Sequence, residues 1–162
     1  MRIGVMSDTH NHLANVARIV ELLNHAGIER VVHTGDITQP KTLEVLARLR
    51  APLHAVLGNN DLGERAALER AAARLEITLT EPPLRLDWAQ RRLLVLHDPR
   101  EIDGDWFAAH DVVLHGHTHR HALERRDGGL LFNPGECAGH LRGRNAVGVV
   151  DLASLEVELL RF

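Results

Sequence analysis

At 162 residues with 44% hydrophobic content, the chain has the size of one globular unit, residues 1–162, with enough apolar material for a core. A formal charge of −3 and a pI near 6.4 give no basic field, so a nucleic-acid backbone is not the expected partner and any anionic substrate must be drawn by something local. Cys137 stands alone, which excludes an internal disulfide and a cysteine-based zinc site, and no apolar run nears the ~18 residues that span a bilayer, so a reducing, cytoplasmic setting is expected.

Arg2–Met6 reads as a buried strand, and residues 11–26 as a helix in which Leu13, Val16, Val20 and Leu23 share one face before Gly27 closes it. Arg30–His33 form a second strand. Thr38 and Pro40 open a further helix carrying Leu43, Leu46, Ala47 and Arg50, and residues 53–57 are a third strand. This β-α-β-α-β order predicts a largely parallel sheet with helical crossovers. Residues 63–74 look helical. Beyond them the texture changes to short alternating runs: Thr78–Thr80 and residues 84–86, 92–96, 111–115, 122–125, 130–132, 146–152 and 157–160 are candidate strands, expected to build a second, more antiparallel sheet.

Short polar motifs punctuate the ends of the apolar runs: Asp8-Thr9-His10, Gly35-Asp36, Gly58-Asn59-Asn60-Asp61, His97-Asp98 and Gly116-His117-Thr118-His119. In parallel sheets ligands bind beyond the carboxyl ends of the strands, so distant motifs become neighbours there. Aspartate, asparagine and histidine offer oxygen and imidazole nitrogen, a donor set for Zn, Mn or Fe. Asp8 with His10, and His117 with His119, lie at i and i+2, and on strands continuing outward each pair would point one way. Asp36 can bridge two ions, because each carboxylate oxygen has spare lone pairs. Two divalent ions set against Asp8, Asp36 and a hydroxide leave net positive charge, which would suit phosphate.

In this order the motifs resemble those of the calcineurin-like metallophosphoesterases, of the small single-domain type, over residues 8–119. The resemblance implies an α/β fold, a four-layer αββα sandwich of two mixed β-sheets flanked by helices. It also implies hydrolysis of phosphodiester bonds by a hydroxide bridging two divalent ions, manganese first, with Ni, Fe or Zn as alternatives. Carried over, one ion takes Asp8, His10, Asp36 and His119, and the other Asp36, Asn59, His97 and His117. The substrate would be a phosphodiester small molecule or nucleotide, and relatives form dimers or tetramers. Two other readings are a phosphomonoesterase acting on nucleotides or phosphoproteins, and a non-catalytic protein-binding scaffold, as in a retromer subunit of this fold.

Three positions depart from the family pattern. Asn60 stands where a histidine usually contacts phosphate or protonates the leaving group, and an amide cannot transfer a proton near neutral pH. The departure favours diesters with good leaving groups; His12, His115 or His121 could substitute as acid. Asp98 replaces a common glycine and Glu136 a common serine, both adding negative charge near the site that could lower affinity or orient a partner. Asp61 is expected to orient the Asn59-Asn60 turn, and His33 to pack near the site. His25, His54, His110 and His140 read as surface or helix-end residues, and Cys137 as a small buried filler.

Overall fold

β1 (Arg2–Met6), β2 (Arg30–His33), β3 (Leu53–Val56) and β4 (Thr78–Thr80) lie side by side and parallel, connected through α1 (Leu13–His25), α2 (Pro40–Leu46) and α3 (Arg65–Arg74). The computed structural model describes residues 1–102, 104–126 and 128–162. The stop at Gly27 is as expected: Ala26 caps α1 and Gly27 follows in the left-handed region at φ 65°. Three helices start later than their sequence suggested, α1 at Leu13 rather than residue 11. Thr38 has φ 68° and lies outside α2, which begins at Pro40; residues 59–64 are wound into a 3-10 turn, so α3 begins at Arg65.

The second half divides differently from its expected single sheet. β5 (Leu84–Trp88), β6 (Arg91–Val95), β7 (Val112–Leu114), β8 (Ala122–Arg126) and β9 (Gly129–Asn133) form a sheet in the order β5-β6-β7-β9-β8. It is mixed rather than mainly antiparallel, since β6, β7 and β9 run parallel to one another. β10 (Ala146–Asp151) and β11 (Val157–Arg161) leave it and extend the first sheet, with β10 antiparallel to β1. Ala146 to Val150 are buried along their whole length and need neighbours on both faces, which a place beside β1 supplies.

Side-chain parity sets the layers. Ile3, Val5, Val32 and Val56 face inward against Leu93, Val95, Leu114 and Phe132 of the second sheet. Met6, Val31, Leu53 and Ala55 face outward onto α1, α2 and α3. On the far side Leu94, Leu96 and Val113 pack against Trp106 of α4 (Gly104–Ala109), a helix too short to announce itself by periodicity. The order is helix, sheet, sheet, helix, the architecture expected. Among the described residues no helix is long and apolar enough to cross a membrane.

Phe132 is fully buried between the sheets, its ring lying against Gly148. Truncation to Ala should cost about 3–5 kcal/mol through lost transfer energy and the cavity left behind. Urea denaturation should show a lower midpoint at an unchanged slope; a midpoint within error of wild type would contradict the inter-sheet placement.

Candidate metal centre

The loops at the carboxyl edge carry an unusual backbone. Asp8 (φ 51°), His10 (φ 42°), Asp36 (φ 61°), His117 (φ 66°) and His119 (φ 57°) all occupy the left-handed region. Each such residue costs on the order of 1 kcal/mol or more, and such strain concentrates at functional sites. This corrects the expectation of strands continuing outward. β1 ends at Met6, and the chain folds over β2, with Asp8 N–H donating to Gly35 O at 3.1 Å and His10 N–H to Asp36 O at 3.0 Å. Two glycines let the loops close: a Cβ at Gly58 would overlap the Asp36 carboxylate, and one at Gly116 the Ser7 hydroxyl.

All seven side chains named from the motifs converge. His10 Nε2 is 3.4 Å from Asp36 Oδ2, 3.3 Å from His119 Nε2 and 3.9 Å from Asp8 Oδ1, and His119 Nε2 is 3.4 Å from Asp8 Oδ1. Beside them, Asn59 Oδ1 lies 3.0 Å from His97 Nε2 and 3.0 Å from His117 Nδ1, with the two imidazole nitrogens 3.3 Å apart. Asp36 joins the groups, because His97 Nε2 is also 3.4 Å from its Oδ2.

Most imidazoles here are steered by a partner on their far nitrogen, which fixes which nitrogen faces the cluster. His97 Nδ1 donates to Thr34 O at 2.8 Å, and His119 Nδ1 to Glu136 Oε2 at 3.0 Å. The Nε2 of His117 points toward Asp98 Oδ2 at 3.8 Å. Asp36 receives the backbone N–H of Asn60 on Oδ1 at 2.9 Å and its side-chain amide on Oδ2 at 2.7 Å. Asp61 is fully buried and accepts three backbone N–H groups, from Asp36 at 3.0 Å, Thr38 at 2.7 Å and Gly58 at 2.7 Å. Asp61 thereby ties the Asp36 loop to the Asn59 turn.

The electrostatics fit cations. Burial pushes the Asp8 carboxyl above its ordinary range, although the Ser7 hydroxyl donates to its Oδ2. Burial acts the same way on Asp36, but His97 and Asn60 outweigh it and hold that carboxyl well below the usual range. The His97 imidazole is disfavoured as a cation by burial, yet Asp36 raises it overall. Among the described residues, Asp8 Oδ1 is buried without a hydrogen-bond partner, aimed at His10 and His119. A buried carboxylate oxygen left unpaired costs several kcal/mol unless a cation meets it. The donor sets Asp8, His10, His119 and Asp8, Asp36, His97 each lie within 4.8 Å, so the residues present fit divalent metal.

Sequence reasoning missed His140. It lies in an irregular stretch between β9 and β10 with no motif around it, yet its ring stacks on His119 at 5.4 Å and 10° and also lies 5.4 Å from His10. Glu136 is fully buried and holds His119 and the Leu141 N–H, so its charge is spent on positioning. Asp98 is held at about 2 by hydrogen bonds from Arg100, which offsets its charge. Of the histidines considered as a replacement acid, His12 caps α1, His115 is buried against Gly116 O, and His121 packs edge-on to Phe132. His33 spends both nitrogens, on Thr9 Oγ1 and the Gly35 N–H.

The chain is similar to known proteins over most of its length. The profile of the calcineurin-like phosphoesterase superfamily domain matches residues 1–155. Phosphodiesterase MJ0936 of Methanocaldococcus jannaschii is 32% identical over 160 residues, which are 96% of this chain and 96% of that protein. Phosphodiesterase YfcE of Escherichia coli K12 is 26% identical over 83% of this chain and 78% of its own. A solved structure described as a novel archaeal phosphodiesterase superposes with a TM-score of 0.91 at 31% identity, covering 100% of both chains.

Two outcomes follow from the hydrogen bonds. Asp61→Ala strands three backbone N–H groups and should lower stability by about 3 kcal/mol or more, read by urea denaturation; a loss under about 1 kcal/mol would show that water replaces the carboxylate. Burial holds His33 at about 3 against an ordinary 6.5, so between those values the unfolded chain binds a proton that the folded one refuses. Stability of chelator-treated protein should therefore fall as pH drops from about 6.5 toward about 3. His33→Asn should flatten that slope, and an unchanged slope would assign the acid sensitivity elsewhere.

Proposed function

The chain belongs to the calcineurin-like phosphoesterase superfamily, a family of metal-dependent phosphoric ester hydrolases, and from that premise we propose that it is a phosphodiesterase with a two-ion centre. The observation that carries the reading is the position of Asp36 Oδ2, 3.4 Å from His10 Nε2 on one side and 3.4 Å from His97 Nε2 on the other. One carboxylate faces two donor sets. Asp8 Oδ1, His10 Nε2 and His119 Nε2 would hold one ion with it, and Asn59 Oδ1, His97 Nε2 and His117 Nδ1 the other. Oxygen with imidazole and no thiolate admits manganese, the ion proposed first, and equally Ni, Fe or Zn. Bound ions supply Lewis acidity toward the phosphoryl oxygens and acidify water.

The protein's own groups shape what reacts. Asn59, His97 and His117 form one wall of a cavity of about 470 Å³ that Leu57, Leu62 and Pro82 complete on its apolar side. An aryl or base-sized leaving group fits there. Asn60 donates to Asp36 and has no proton to transfer at neutral pH, so leaving groups of low pKa are favoured. Cys137 takes no part; burial pushes its thiol up to about 12, and a reducing cytoplasm suits it.

Reconstitution with manganese should give two equivalents of metal, with turnover on bis(p-nitrophenyl) phosphate well above that on p-nitrophenyl phosphate. Asp36→Ala should lose both ions and about 10³-fold in rate, since several kcal/mol of charge stabilisation disappear. Asn60→His should raise the monoester rate relative to the diester by about tenfold or more, within the range for general-acid catalysis. Equal turnover of the two substrates in the wild type would defeat the diester preference. Less than one equivalent of manganese with no diesterase activity would move the protein to the scaffold class.

A further inference from the structure

On the opposite flank, His119 forms a wall shared by the metal cluster and a second cavity of about 380 Å³. Arg120, Arg144 and Arg161 converge on it, with His121 and Pro134 completing the lining. The three arginines come from separate parts of the chain: the loop after β7, the stretch before β10, and the end of β11. Some surface guanidinium groups find carboxylates, as in Arg65 with Glu69, Arg74 with Glu44 and Arg100 with Asp98, while others such as Arg48, Arg70 and Arg85 stand apart from one another. Among the described residues, Arg120, Arg144 and Arg161 have no carboxylate partner within 4.0 Å.

Three unpaired guanidiniums are thus gathered in one concavity of a chain whose formal charge is −3. Like charges held together repel, and an anion at their centre relieves them. Guanidinium presents a planar fork of N–H donors matched to phosphate oxygens. The first cavity differs: its acids Glu81 and Asp98 are paired with Arg65 and Arg100, and among the described residues no group of unpaired arginines lines it. The cluster therefore lies between a partly apolar side and a basic side.

We propose that the Arg120–Arg144–Arg161 cavity binds a second phosphate that is not hydrolysed, so that preferred substrates are small nucleotide-type phosphodiesters carrying another phosphate on the retained portion. The proposal rests on the phosphodiesterase reading above. The scissile ester sits at the metal cluster, its leaving group enters the cavity lined by Leu57 and Leu62, and the retained nucleoside lays its extra phosphate among the arginines. Hydrolysis is unchanged in kind: water adds to phosphorus, the ester P–O bond breaks, and the leaving oxygen takes a proton.

The test compares thymidine 5′-(p-nitrophenyl phosphate) with the same compound bearing a 3′-phosphate, on manganese-loaded full-length protein, by release of p-nitrophenol. The 3′-phosphate should lower KM by about tenfold or more with little change in kcat, an advantage that shrinks as salt is added. The ratio of kcat/KM between the two substrates should fall toward one in Arg144→Glu and Arg161→Glu, and recover in part in Arg144→Lys. Equal KM values in the wild type, or an advantage that survives both charge reversals, would overturn the proposal. If neither compound is hydrolysed, the phosphodiesterase reading has failed. Calorimetric titration of thymidine 3′,5′-bisphosphate against thymidine 5′-phosphate then judges the cavity alone: tighter binding of the bisphosphate that Arg144→Glu removes supports it, and equal binding rejects it.

Discussion

Three backbone N–H groups from two loops meet on one buried carboxylate, that of Asp61, and the rest of the centre depends on that meeting. The bonds bring the loop after β2 against the turn after β3, setting Asp36 and Asn59 at a common point. Gly58 permits the approach, since any side chain there would overlap Asp36. With Asp36 held on one oxygen by the Asn60 N–H, its other oxygen is presented to His10 from the first loop and to His97 from the second sheet. Where Asp36 stands therefore follows from parallel strand order and one acid three residues past a glycine.

The sandwich serves this arrangement. β1 to β3 deliver Asp8, Asp36 and Asn59 from the first sheet, while β6 and β7 deliver His97 and His117 from the second. Inter-sheet packing around Phe132 sets the spacing of the two halves. The left-handed backbone at Asp8, His10, Asp36, His117 and His119 is strain that the surrounding hydrogen bonds and core maintain. Such strain, together with the unpartnered Asp8 Oδ1, has a physical reason in cations that the loops are shaped to receive.

Much of this was legible in the residue pattern. Apolar runs ending in acid and histidine identified the carboxyl edge, because parallel strands place their loops together whatever their separation in sequence. Helices α1 and α2 were legible from three-and-four spacing and from Gly27 and Pro40. The assignment of β10 to the first sheet was not, since a wholly apolar strand fits the interior of either sheet equally well. Nor was α4, a helix of about one and a half turns. His140 reaches His119 through an irregular stretch that carries no period, and of the two roles open to Glu136, weakening an anionic ligand or orienting a partner, its burial against His119 assigns the second. The left-handed turns escaped because backbone sign is invisible in the spacing of Asp8 and His10.

The claim at the centre of this account is that Asp36 is shared by two metal ions. Anomalous diffraction at the manganese edge from crystals grown with manganese tests it directly. The account predicts two peaks about 3.5–4 Å apart, the usual separation of two-metal sites, with the Asp36 carboxylate between them and Asp8 and Asn59 on opposite sides. A single peak, or two peaks of which Asp36 touches only one, would contradict it.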